Sequence, residues 1–156
     1  MALDDIAKEW IVYANRDLDT AKHLNNTMRP KPFEIICYHS QQAAEKFLKA
    51  FLFCSSVTPP KTHDLNTLCE MCEELNDSFS EIALQCGSLT KYGIAPRYPY
   101  ELEITDEDAE SALCKSEKIK EFIEGLLSDD NGDDIEDHSE PDDETPGETA
   151  SEQSEE

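Results

Sequence analysis

Four side chains able to do chemistry recur along one segment. Between Cys37 and Leu52, the residues His39, Gln42, Lys46 and Lys49 fall on one narrow stripe if the segment is helical. An imidazole can move a proton, an amide can both donate and accept, and ammonium groups can hold an anion. The apolar residues Ile36, Ala43, Ala44, Phe47, Leu48, Phe51 and Leu52 form the other, broader face. A core helix needs that apolar set, but packing alone does not call for the polar stripe.

A second group lies in Pro96-Arg97-Tyr98-Pro99-Tyr100. Two prolines in four residues forbid a regular helix and hold the backbone extended. A guanidinium reads phosphate or carboxylate in bidentate geometry, and Tyr98 or Tyr100 could stack on a base. The structural alternative is that Arg97 pairs with one of the many acids while the tyrosines cover the end of the fold. His63, in Lys61-Thr62-His63-Asp64-Leu65, sits at a helix start. It reads either as a capping or loop histidine or as a group beside a bound anion. Cys69 and Cys72 have CxxC spacing, but no second pair or His partner stands at zinc-finger distance, so they read as core packing.

The elements that must position these residues read as helices throughout, with no strand pattern and no repeat. A first helix runs from about Leu3 to His23, with Ile6, Trp10, Tyr13, Ala14, Asp17, Leu18, Ala21 and Leu24 at mostly helical spacing. Asn25-Asn26-Thr27, followed by Pro30 and Pro32, end it. The second covers about Pro32 to Cys54. A third begins near Asp64, a good N-cap, with Leu65, Leu68, Cys69, Cys72, Leu75 and Phe79 as its buried face. A weaker fourth carries Phe79, Ile82, Cys86, Leu89 and Tyr92. After the Arg97 loop, Thr105 and Asp108 form a capping box that starts the last helix, with Ala109, Ala112, Leu113, Ser116, Ile119, Ile123 and Leu126 facing inward. The expected fold is all-α: an antiparallel up-and-down bundle of four long helices plus one shorter one, over residues 1–128.

Residues 129–156 hold 14 of the 36 acids and no Lys or Arg, which leaves 22 acids against 13 bases in the body. Ile135 is the tail's single sizeable aliphatic, so the tail is expected to be disordered. Its composition fits a solubilising extension, with nucleic-acid mimicry as the alternative. The net charge of −23 argues against broad binding to a nucleic-acid backbone, though not against a local anion site. No apolar run is long enough to span a membrane, and Met1–Lys8 lacks the pattern of a signal peptide. Six cysteines without an export signal read as reduced thiols, and the expected location is cytoplasmic. The chain has five glycines and no glycine-rich phosphate loop; no cofactor and no metal are expected.

The order of the pieces resembles the HEPN domain, a nucleotide-binding helical domain of higher eukaryotes and prokaryotes. The matching residues are Trp10 with Ala14-Asn15-Arg16-Asp17-Leu18 and Ala21, then Tyr38 through Ala50, which includes Gln41-Gln42-Ala43-Ala44-Glu45-Lys46. Thr62-His63-Asp64-Leu65, Tyr92 and Arg97-Tyr98-Pro99 follow, and then the terminal helix. The resemblance covers about Met1 to Leu127. It implies a bundle of four or five helices that usually forms a homodimer. It also implies one of two functions: pairing with a small nucleotidyltransferase in a toxin–antitoxin-like system, or metal-independent RNA cleavage by an Arg and a His with four to six residues between them. After Arg97 that His would stand at 102, 103 or 104, where the chain has Leu102, Glu103 and Ile104. Arg16 and His23 have the spacing but lie on the first helix, outside the expected region.

Two functional expectations follow. The first is a nucleotide- or partner-binding module in which Arg97 grips phosphate, Tyr98 or Tyr100 stacks, and His39, Gln42 and Lys46 line the flank. The second is a ribonuclease with a rearranged acid–base pair drawn from His39 or His63 with Arg97.

Overall fold

The structure is a computed structural model and describes residues 3–93 and 103–132. Arg97, Tyr98, Tyr100 and the acidic tail from 133 onward lie outside the described residues. Among the described residues, five α-helices make an all-α bundle: α1 (Leu3–Thr27), α2 (Phe33–Cys54), α3 (Leu65–Leu75), α4 (Ala83–Leu89) and α5 (Asp106–Gly132). The same residues contain no strand.

The hydrophobic periodicity of α2 places it at the centre. Ile36, Ala43, Ala44, Phe47, Leu48 and Leu52 have no exposed surface, and each of the other four α-helices packs on α2. The five-residue turn Met28–Pro32 returns the chain along α1, which lies against α2 through Ala14, Leu18 and Ala21. Small residues let α5 approach α2 closely. Ser116 Oγ donates to the Ser40 carbonyl at 2.8 Å, and Ser40 Oγ donates back to the Ile36 carbonyl at 2.8 Å. At the α1–α2 turn, Lys31 is bound to both Asp106 and Glu110 in the first turns of α5. The expected capping box starts α5: Thr105 N–H donates to Asp108 at 2.9 Å, and Asp108 N–H donates to Thr105 Oγ1 at 3.2 Å.

The helix lengths differ from the sequence reading in four places. Helix α1 continues to Thr27, where the Thr27 hydroxyl bonds back to the His23 carbonyl at 2.7 Å instead of capping a break. Helix α3 stops at Leu75, which is 48% exposed and not buried as expected. Asn76 is extended there, and its side chain accepts from Ser78 N–H. From Asp77 the chain forms a 3₁₀ turn to Ile82, the short α4, and a second 3₁₀ turn, Thr90–Gly93. All five residues of the expected fourth stripe, Phe79, Ile82, Cys86, Leu89 and Tyr92, are buried along this composite element. Helix α5 continues past position 128 to Gly132. On α1, Tyr13 is 53% exposed, with the Arg16 guanidinium over its ring, so it is not part of the core.

Cys69 and Cys72 are both buried. Burial pushes the Cys37 thiol up to about 12 and raises Cys72 as well; Cys86 is raised by its hydrogen bond to Cys69 and by burial. The Cys37, Cys72 and Cys86 thiols are held protonated, which suits packing and not nucleophilic attack, while the hydrogen bond from Cys86 lowers Cys69. Among the described residues no group of three His, Cys, Asp or Glu side chains could hold a metal ion.

Candidate functional site

The polar stripe of α2 is organised by two carboxylates, and neither was among the residues picked out as candidates. The first is Asp17, which α1 turns toward α2 one residue before the buried Leu18. His39 Nδ1 lies 2.9 Å from Asp17 Oδ1, and the Lys46 ammonium donates to Oδ2. His39 and Lys46 are seven residues apart, two turns of α2, so one carboxylate between them can hold both. Burial alone would raise the Asp17 pKa. Hydrogen bonds from His39 and Lys46, together with the attraction of both charges, outweigh that and hold the carboxyl below its usual 3.8.

Because the folded pKa is lowered, the stability Asp17 contributes is fully present above the unfolded value of 3.8. It fades as pH falls through the lower folded value. Asp17→Asn should therefore cost on the order of 1.5 kcal/mol at neutral pH and flatten the acid limb of the stability curve. Urea titrations from pH 7 to pH 2 would check this. An unchanged acid limb in the variant would remove Asp17 from the account.

The second carboxylate is Glu45, only 4% exposed. Its Oε1 accepts from Lys49 Nζ at 2.8 Å, and His63 Nδ1 stands 3.1 Å from both oxygens. Oε2 also accepts from the amides of Gln41 and Gln42, each at 3.3 Å. Lys49, 8% exposed, is covered by Trp10, whose ring centroid is 5.6 Å from the ammonium. Trp10 in turn stacks on Phe53 at 5.8 Å. Glu45 and Lys49 have the favoured i,i+4 order on a helix, but here the pair is buried and further hydrogen bonds support the carboxylate.

Gln41 connects this cluster to two loops. Its Nε2 donates to the His63 carbonyl at 3.1 Å, which fixes the segment entering α3. A Cβ added at Gly93 would lie 3.3 Å from both Cδ and Nε2 of Gln41. The chain therefore passes close against that amide just before the Arg97 segment. Asp64, not His63, caps α3, accepting from Asn66 N–H at 2.9 Å.

The expected site residues thus separate into groups. His39 and Lys46 meet on Asp17. Gln42 turns instead to Gln41 Oε1 at 2.7 Å and to Glu45. His63 and Lys49 meet on Glu45, so the two candidate histidines rest on different carboxylates. Arg97 and Tyr98 lie outside the described residues. The rim consists of the half-buried His39, Gln42 and Lys46 and the exposed His63, with the carboxylates behind it. An open cavity of about 390 Å³ is lined by Phe51, Ser55, Leu75, Asn76, Leu126 and Asp129, and includes no residue of the stripe.

The HEPN domain family matches residues 7–126, and the chain belongs to that family. It is 33% identical over 144 residues to the Methanocaldococcus jannaschii protein named "Putative toxin MJ1304", covering 81% of this chain and 91% of that protein. The crystal structure of TT1696 from Thermus thermophilus superposes with a TM-score of 0.68 at 26% identity, covering 76% of this chain and 96% of that one. The crystal structure of ST0689, an archaeal HEPN homologue, gives 0.63 at 26% identity, covering 78% and 97%.

Proposed function

We propose that this HEPN chain is a nucleotide- and partner-binding module of a toxin–antitoxin-type pair, acting with a small nucleotidyltransferase. The observation that carries the reading is the His39–Lys46 edge. Two groups able to meet an anion are held on one carboxylate at the surface of an otherwise buried helix. The relative named as a toxin supports the class of system. In this reading Arg97 supplies the phosphate grip, Tyr98 stacks on the base, and Gln42 contributes an amide to the rim. A homodimer would place two such edges in one assembly.

The binding reading is preferred to a rearranged ribonuclease for two reasons. His39 and His63 are engaged by separate carboxylates, and the net charge of −23 opposes an RNA backbone. Phosphate arriving at Lys46 replaces an existing ion pair with Asp17, so binding is an exchange of partners. Calorimetric titration of ATP, GTP and short RNA tests the proposal. One nucleotide should bind the wild type and bind Arg97→Ala at least about tenfold more weakly, as expected when a guanidinium–phosphate contact is lost. Equal binding by both proteins, or none by either, would overturn it.

A further inference from the structure

The described histidines differ in two properties that decide nucleophilic reactivity: a carboxylate on one ring nitrogen, and access to the rest of the ring. His39 has the carboxylate, but its side chain is 26% exposed and it shares Asp17 with Lys46. His23 is exposed, but among the described residues its ring has no hydrogen-bond or ion-pair partner. His63 has both properties. Its Nδ1 is 3.1 Å from each oxygen of Glu45, while its side chain is 71% exposed.

We propose that His63 is a phosphoryl-acceptor site, taking a phosphoryl group on Nε2 from a donor of the phosphoramidate class. A carboxylate paired with Lys49 only accepts hydrogen bonds, so the proton sits on Nδ1 and Nε2 carries the lone pair. No described residue bonds Nε2. The backbone under the ring is fixed by the bond from Gln41 to the His63 carbonyl, and the ring itself is oriented by its contact with both Glu45 oxygens. The nearby acids do not confront an incoming anion. Glu45 is buried behind the ring and paired with Lys49 at 2.8 Å. Asp64 is occupied by Asn66 N–H and the Thr67 hydroxyl.

In the transfer step the Nε2 lone pair attacks phosphorus. The N–P bond forms as the donor's P–N bond breaks, and ammonia leaves with that electron pair. The positive charge gained by the ring is met at Nδ1–H by Glu45, the arrangement in which a carboxylate fixes tautomer and orientation. Glu45 is the positioning residue and His63 the acceptor.

The test is a time course of the full chain with potassium phosphoramidate near neutral pH, with phosphohistidine mapped by tandem mass spectrometry. His63 should be modified at least about tenfold faster than His23 in the same molecules, the scale expected for an activated nucleophile. Glu45→Gln should bring His63 down to the His23 rate and change its rate–pH profile, leaving His23 unaffected. His63→Gln should remove the fast phase. The comparison between histidines in the wild type needs no variant, so it decides the matter even where Glu45→Gln fails to fold. Modification of His23, His39 or His138 as fast as His63 would overturn the proposal. So would a folded Glu45→Gln protein that keeps the fast rate.

Discussion

Glu45→Ala is expected to lower unfolding free energy by about 3–5 kcal/mol, the cost of breaking a buried ion pair by removing one member. The truncation takes away the acceptor of Lys49, His63, Gln41 and Gln42 together. Most of the loss comes from Lys49, an ammonium 8% exposed that is left with the Trp10 face and no counter-charge. The double variant Glu45→Leu with Lys49→Met removes both charges and should recover most of that stability. Urea denaturation of the two proteins separates the contributions. An equal loss in both would show that the lost acceptor of Gln41, Gln42 and His63, not the stranded Lys49 charge, is responsible.

Phe79→Ala should cost a comparable amount, about 3–5 kcal/mol, for a different physical reason. Phe79 is fully buried and is gripped by two rings, Phe51 of α2 at 4.5 Å between centroids and Phe122 of α5 at 5.1 Å in an edge-on arrangement. It sits in a 3₁₀ turn, so one side chain ties the least regular part of the chain to two long helices. Its removal leaves a cavity that rigid helices on both sides cannot close. The urea midpoint should fall while its slope stays unchanged, and Phe79→Leu should lose distinctly less. A change in slope would mean that the segment around α4 had come loose on its own.

The all-α class and the central helix were legible because their signals are redundant. Helix α2 has an unbroken apolar face, and α5 has a capping box that forms as read. The Phe79–Tyr92 stripe was legible as a buried face but not as a helix type. Spacings of three and four residues satisfy both 3₁₀ and α geometry, and only Asn76-Asp77-Ser78 hinted at the break after α3. The candidate site was read from its cations, so the organising acids were missed. A signal for Asp17 existed, since it stood among residues otherwise expected to be buried, where a carboxylate needs a partner. Glu45 stood between Gln41 and Lys49 at i,i+4 spacing. In a chain with 36 acids, sequence cannot say which of them turns inward. The separation of His39 from His63 depends on how α1 and the α3 entry pack against α2, which is a tertiary fact.

The close passage of Gly93 against Gln41 gives a residue outside the polar edge mechanical leverage over it. Any side chain at position 93 would press on the amide at 3.3 Å, and that amide holds both the His63 carbonyl and Glu45. A single methyl group there would travel as a displacement through one side chain into two hydrogen bonds. Position 93 is therefore a tuning point, where the orientation of the His63 imidazole can be adjusted without altering any residue that a ligand would touch.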